Sequence, residues 1–351
     1  GVHPHQGKVD HINAGESPIL EEGIGELISS VVKEGRLRAT RDAAEAVAET
    51  ELTIVCVGTP GAPNGKLDLS YLASVSRDIG CALARKKAPH TVVVRSTVLP
   101  GTVEEQVIPI IEASSGKKAG NGYRLFYNPE FLREGTSIAD FFSPPLTLVG
   151  ALGSDPTDVI RELYRGIDAP FHVVPVRVAE MLKYSANAFH ALKISFANEI
   201  GRIAKRLGAD SHLVMDLICQ DTKLNISRAY LRPGFAFGGS CLPKDLRALT
   251  YRARELDVPL PVLEALLPSN AVHVECAMDL IRERGMRKVG LLGLSFKAGT
   301  DDLRESPLVT LAEKLIGKGY DLRVYDPLVN LDRLVGANKT YILREIPHIS
   351  R

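Results

Sequence analysis

The run Leu52-Thr53-Ile54-Val55-Cys56-Val57 carries no charge and stops at Gly58-Thr59-Pro60. It constrains the fold more than any other stretch. An uninterrupted apolar run ending in turn residues reads as a parallel strand buried on both faces, with a loop at its carboxyl end. Apolar periodicity predicts amphipathic helices over about 21–33 and 41–49 before it. After it the spacing predicts a helix over about 69–86, a strand over 91–94, a helix over 103–113 and a strand over 124–127. A strand near 146–149, a helix near 155–164 and a strand near 171–174 follow. Strand-helix alternation at this spacing is the pattern of a doubly wound α/β sheet.

Ligands of such sheets gather outside the carboxyl ends of the strands. Three loops fall there: Gly58-Thr59-Pro60, Arg95-Ser96-Thr97-Val98, and Asn128-Pro129-Glu130-Phe131-Leu132-Arg133-Glu134-Gly135. They offer hydroxyls and carboxylates where a nucleotide or a sugar would sit. Thr59 and Thr97 serve equally well as caps of a following turn. Glu130 and Glu134, four apart, form either an acidic edge or a solvated helix face.

From Val176 to Leu207 the periodicity predicts one helix, nearly 50 Å long at about 1.5 Å per residue, enough to join two domains. Lys183, Asn187, His190 and Asn198 fall close to one stripe of it. Solvated stripes are usually rich in Glu, Lys and Arg, whereas Asn is a poor helix former. Lys183 and Asn187 therefore read as functional, and His190 fits either reading. Shorter helices are predicted over 211–220, to about 254, and over 260–284. Between them Asn225 to Pro233 offers Arg and Tyr side chains that could hold phosphates.

The stretch Gly234-Phe235-Ala236-Phe237-Gly238-Gly239-Ser240-Cys241-Leu242-Pro243-Lys244-Asp245 sets a thiol just before a predicted helix. Pro243 suits a first helical turn, where a missing N–H is harmless. Unpaired N–H groups and the positive dipole end favour a thiolate there. Asp245, four residues on, brings a carboxylate towards the sulfur or a water beside it. A nucleophile with an adjacent acid/base is implied, against the common state of a lone cysteine as a small buried hydrophobe. A last α/β unit follows, with a buried-strand run at 288–294, a loop Ser295 to Pro307, a helix over 308–317 and a strand over 322–326.

Lys plus Arg number 43 and Asp plus Glu 42, so no global field draws the chain to nucleic acid or an anionic membrane. Five scattered cysteines without a CxxC pair argue against a disulfide framework or a structural zinc, and no metal site is expected. No apolar run nears the roughly 20 residues of a membrane helix, and no signal-peptide pattern is present. A reducing cytoplasm fits best. The chain has no initiator Met and starts inside a folding unit, so it reads as a fragment.

Taken together, Val57 to Pro60, Asn128 to Gly135, the Lys183 to Asn198 helix, the Gly234 to Asp245 loop and Phe296-Lys297-Ala298-Gly299-Thr300-Asp301-Asp302 resemble the UDP-glucose/GDP-mannose dehydrogenase family over essentially the whole chain. Phe189 to Lys193, Ile218 to Asp221 and Arg232 to Phe237 resemble its GDP-mannose branch. The resemblance implies two Rossmann-like doubly wound domains joined by the long helix and a helical dimerisation domain. They are an NAD-binding domain at 1–175, a central domain at 176–284 and a sugar-nucleotide domain at 285–351, both terminal domains being truncated.

By the same resemblance, a sugar primary alcohol is oxidised by four electrons to a carboxylate with two NAD, through a thiohemiacetal and a thioester on Cys241. Lys183 is expected to stabilise the oxyanion, Asn187 to orient substrate, Asp245 and Glu134 to serve proton transfer or water, and Thr97 to act at the reacting centre. Lys8, Thr59, Thr97 and Arg304 match cofactor positions. Glu130, Phe131, Leu132, Arg133, His190, Asn198, Tyr230, Arg232, Phe235, Gly238, Lys244 and Lys297 match positions for GDP-mannose, some shared across a homodimer. Three departures stand out: the first strand with its Gly-rich phosphate turn is absent, His3 falls where an acidic ribose ligand is expected, and Ala229 replaces an aromatic. A UDP-sugar dehydrogenase, a catalytically silent scaffold and a Cys-dependent hydrolase are the alternatives.

Overall fold

Leu52–Val55 (β1), Thr91–Val94 (β2), Arg124–Tyr127 (β3), Thr147–Ala151 (β4) and Phe171–Pro175 (β5) hydrogen-bond side by side in that order. In this computed structural model the described residues are 1–18, 22–62, 64, 66–133, 136–153, 155–227, 234–239, 241–297, 300–329 and 336–345. They fall into two units, Gly1–Phe189 and His190–Arg351.

The first unit holds that sheet. Helices Gln6–Asn13 (α1), Ile24–Lys33 (α2) and Ala43–Glu49 (α3) precede β1. The Asp42 carboxylate starts α3 by accepting from the Ala44 and Glu45 amides at 2.9 and 3.0 Å. Ser70–Arg85 (α4) links β1 to β2, and Ile108–Ser115 (α5) links β2 to β3. A wider π turn, Val103–Val107, comes before α5 instead of regular helix. Pro109 lies in the first turn of α5 and has no N–H with which to close a normal bond to Glu105.

Strands β2 and β3 show why their sequences lack alternation. Val92, Val94, Leu125 and Tyr127 enter one core cluster with Leu72 and Leu83 of α4 and Ile111 of α5. Val93 and Phe126 point the other way, to Val149 and Ile160. The expectation for β1 needs correction. Among the described residues it is an edge strand paired with β2, and Ile54 is 43% exposed.

A further difference concerns direction. Pairs β1–β2, β2–β3 and β4–β5 are parallel, but β4 runs antiparallel to β3. The connection between them carries Ser137–Phe142 (α6) and needs no crossover, since an antiparallel neighbour starts at the edge where β3 ended. Asp158–Leu163 (α7) then leads to β5. The 31-residue helix Val176–Arg206 (α8) follows at once, within one residue of its predicted length.

In the second unit come Ser211–Gln220 (α9), Leu242–Glu255 (α10) and Pro261–Glu283 (α11). The Asp210 carboxylate caps α9 through the His212 and Leu213 amides. Glu199, only 2% exposed, caps α11 by accepting from the Val262 and Leu263 amides at 2.8 and 3.0 Å. Lys288–Leu292 (β6) and Asp321–Tyr325 (β7) form a parallel pair joined through Pro307–Gly317 (α12), the predicted β-α-β unit, and Gly336–Glu345 (α13) ends the described chain.

Candidate active site

Strands β1, β2 and β3 are parallel, so their carboxyl-end loops share one edge of the sheet. Hydroxyls tie two of them together: Thr59 Oγ1 donates to the Thr97 carbonyl at 2.7 Å, and Ser96 Oγ donates to the Val57 carbonyl at 2.6 Å. After β3, the Asn128 side chain is buried and held by three hydrogen bonds. Its Oδ1 accepts from Arg95 Nη1 at 2.9 Å and from the Tyr164 hydroxyl, while its Nδ2 donates to the Leu148 carbonyl at 2.8 Å. Arg95, Asn128, Glu130, Leu132, Asp140 and Tyr164 are among the residues lining a cleft under this loop.

Two residues beyond Asn128, Glu130 turns towards α8. Its Oε1 lies 3.1 Å from Lys183 Nζ, and its Oε2 accepts from the Leu132 amide at 2.6 Å. The Lys183 side chain is 8% exposed. An ammonium so far out of water needs compensation. The Glu130 carboxylate supplies it, and the Phe131 ring, whose centroid is 5.3 Å from Nζ, adds a cation–π contact. Arg133, by contrast, forks onto Asp140, with Nη2 to Oδ1 at 2.7 Å and Nε to Oδ2 at 3.0 Å. That guanidinium holds the Asp140 carboxyl well below the usual carboxylate range.

Asn187, His190 and Asn198 lie along α8 as predicted, with exposed side chains, whereas Lys183 is buried. Lys8 lies on α1 and lines a cleft with His3, His5 and His11.

In the second unit Cys241 is the N-cap residue of α10, with Pro243 in the first turn. The Asp245 amide donates to the Cys241 carbonyl at 2.9 Å, closing that turn. The Asp245 carboxylate meets Lys244 Nζ at 2.9 Å on an exposed surface. Lys244 has its pKa raised, first by the hydrogen bond to Asp245 and least by the Cys241 sulfur. Arg304 behaves alike, its shift coming first from Asp302 and last from Cys241. Arg304 is itself forked onto Asp302, at 2.9 and 2.7 Å.

The two glycines before the thiol meet specific neighbours. A Cβ on Gly238 would lie 2.3 Å from the Glu305 carbonyl oxygen and 2.7 Å from Pro307 Cδ, and Gly239 has φ +89° against the Phe296 ring. Close approach is thus required, and within the described unit the backbone approached is that of the loop following β6. Asn270 of α11 fixes the same stretch. It accepts from the Phe237 amide at 2.9 Å and donates to the Phe237 carbonyl at 2.8 Å. Ala236 is rooted in a cluster with Val274, Met278, Leu311 and Leu315. Phe235 and Lys297 are exposed. Glu134, Tyr230 and Arg232, with Ala229 and Ser240, lie outside the described residues.

The supporting partners Arg95, Tyr164, Asp140, Glu180 and Asn270 escaped sequence reasoning. Nothing in spacing marks them, because each acts across 33 or more residues or, for Asp140, across a loop without periodicity. Buried Glu180 carried the one usable signal, a carboxylate on the face of the helix occupied by Lys183.

Comparison with known proteins completes the picture. Three profiles of the UDP-glucose/GDP-mannose dehydrogenase family match: the NAD binding domain at residues 1–168, the central domain at 177–272 and the UDP binding domain at 290–345. The GDP-mannose 6-dehydrogenase of Pseudomonas aeruginosa is 57% identical over 350 residues, covering 100% of this chain and 80% of the relative. That of Azotobacter vinelandii is 54% identical with the same coverage. A UDP-glucose 6-dehydrogenase of Haloferax volcanii is 38% identical over 91% of this chain and 75% of its own. A crystallographic ternary complex of GDP-mannose dehydrogenase from Pseudomonas aeruginosa is similar with a TM-score of 0.96, 57% identity and coverage of 100% and 80%. For a UDP-glucose dehydrogenase from Pyrobaculum islandicum the TM-score is 0.60, at 39% identity and 92% and 75% coverage.

Proposed function

Since this chain belongs to the UDP-glucose/GDP-mannose dehydrogenase family, we propose that it oxidises GDP-mannose to GDP-mannuronate with NAD, a four-electron conversion of a primary alcohol to a carboxylate. One observation carries the substrate: identity is 57% to an enzyme named GDP-mannose 6-dehydrogenase and 38% to one named for UDP-glucose. The match of residues 290–345 to the family's UDP binding domain favours a UDP-sugar instead. Turnover of GDP-mannose against UDP-glucose separates them, and preference for UDP-glucose would refute the proposal.

The residues present fit the cofactor. Three parallel strands end together, the Thr59–Thr97 bond braces their loops, and Lys8 lines a cleft with His3, His5 and His11 that is suited to an anion. Lys8, Thr59 and Thr97 are the residues of the first unit that would hold it. Bound NAD supplies the hydride acceptor for both oxidations.

The chain's own residues account for the rest. The alcohol gives up its hydroxyl proton and a hydride, leaving an aldehyde. The Cys241 sulfur attacks the aldehyde carbon, the carbonyl oxygen becomes negative and then takes a proton, and the role assigned to Lys183 is to stabilise that charge. Loss of the hydroxyl proton and of a second hydride from that carbon leaves a thioester. Water, assisted by Asp245 or Glu134, adds to it, the carbon–sulfur bond breaks, and the carboxylate departs. Asn187 orients the sugar. Glu130 keeps the Lys183 side chain aimed, an assignment supported by their 3.1 Å contact.

A homodimer belongs to the same reading, supported by exposed apolar side chains on α8 and α9, Leu192, Ile194, Leu213 and Leu217. So does a cytoplasmic location; among the described residues no helix is long and apolar enough to cross a membrane. The division of the chain at about 175 and 284 is part of the proposal too.

A further inference from the structure

We infer that Glu180 is a positioning residue that locks the far end of the loop carrying Thr97 to the helix carrying Lys183. Glu180 belongs to α8, and its surface is wholly buried. It precedes Lys183 by three residues, so the two side chains leave the same face of the helix.

Its carboxylate does not pair with that lysine in the first instance. Oε2 accepts from the Gly101 amide at 2.6 Å and Oε1 accepts from the Val103 amide at 3.0 Å. Those amides open the helical segment after β2, where unpaired N–H groups face outwards and favour an anion. Gly101 reaches this position with φ +92°, and a Cβ there would lie 2.9 Å from Glu105 Oε1. From the other side the Thr97 carbonyl accepts from the Thr59 hydroxyl at 2.7 Å. Thr97 is therefore held between the loop after β1 and a helix, and the helix brings Lys183 one turn further on. Burying a carboxylate is costly unless its oxygens are satisfied, and a smaller polar side chain would cap a helix at less expense. What the longer charged side chain adds is reach between two segments that must keep a fixed spacing.

Helix α8 contains a natural control. Glu199 is equally buried and caps α11 with the same pair of bonds, at 2.8 and 3.0 Å. Among the described residues its hydrogen bonds go to no loop that bears a candidate cofactor residue.

The inference rests on the reading of Thr97 as a cofactor residue and Lys183 as a catalytic one. Glu180→Gln and Glu199→Gln would each be made in the whole protein. Thermal midpoint, kcat, KM for NAD and for GDP-mannose, NADH affinity by fluorescence, and amide hydrogen exchange at Gly101 and Val103 would be recorded. Both variants should lose midpoint. Glu180→Gln should raise exchange at the two amides about tenfold, weaken NADH binding about tenfold and lower kcat about tenfold, with KM for GDP-mannose within about twofold. Glu199→Gln should leave every kinetic constant as it was. If Glu180→Gln does not fold, Glu180→Asp, which keeps the charge and loses reach, should give the same pattern at smaller amplitude. Unchanged kinetics and NADH affinity in the folded Glu180 variant would overturn the inference, as would an equal kinetic loss in Glu199→Gln. A wild-type protein that does not oxidise GDP-mannose refutes the proposed function instead. Exchange and NADH affinity would still decide the clamp.

Discussion

Lys183 Nζ lies 3.1 Å from Glu130 Oε1, joining a nearly buried ammonium on a helix to a carboxylate that is 32% exposed in the loop after β3. The asymmetry separates catalysis from stability. Lys183→Met should lower kcat by about 10²–10³-fold through loss of oxyanion stabilisation. Glu130 remains partly solvated, so the folding cost should stay within about 1 kcal/mol. Steady-state rates beside a denaturant titration check both, and a rate loss matched by unfolding would contradict the assignment.

Gly238 predicts a steric effect. Alanine there would press into the Glu305 carbonyl and Pro307, backbone and ring atoms that cannot move aside. Gly238→Ala should cost about 1–3 kcal/mol and slow turnover, because Cys241 lies three residues on. Among the described residues Gly234→Ala meets no atom within 4 Å and should be neutral to folding. Equal stability of the two variants would argue against the close approach.

How much of this was legible beforehand follows from the range of each interaction. The strand-helix alternation announced β2 and β3 as strands, and Pro243 announced the start of α10, since both signals are local, whereas the caps Asp42, Asp210 and Ser306 were not read from the sequence. Helix α8 declared itself by length. The edge position of β1 was illegible, because an apolar run does not reveal how many neighbours a strand has. So was the antiparallel turn into β4, which depends on where the connecting chain goes. At the site, the candidate residues were visible as motifs, while the partners that orient them lie far away in sequence: Glu130 is 53 residues from Lys183, and Asn270 is 33 from Phe237.

Asn270 supplies a third prediction. Removing its amide leaves the half-buried Phe237 N–H and C=O without these partners. Asn270→Ala should cost about 1–3 kcal/mol and lower kcat about tenfold by loosening the Cys241 loop. Thermal unfolding and kcat measured well below the midpoint check this, with an unchanged rate telling against any role for the clamp in catalysis.

His90 gives a pH dependence. It is 2% exposed, with Nε2 2.9 Å from Thr53 Oγ1. Burial first, and then the Lys86 charge, lower its pKa from 6.5 to about 4. The folded protein thus binds this proton more weakly than the unfolded chain does. Its contribution is intact above pH 6.5 and is lost as the pH falls towards 4, by up to about 3 kcal/mol. Unfolding free energy measured from pH 7 to pH 4 should fall more steeply in wild type than in His90→Gln. Parallel curves would exclude a neutral buried imidazole.

The central claim is that the sulfur of Cys241 captures a sugar aldehyde. Its most direct test is the initial rate of GDP-mannuronate formation by Cys241→Ser in the whole protein. The account predicts a fall of about 10³-fold or more, since a serine hydroxyl is a far weaker nucleophile near neutral pH. Formation of the acid by Cys241→Ser at the wild-type rate would contradict it.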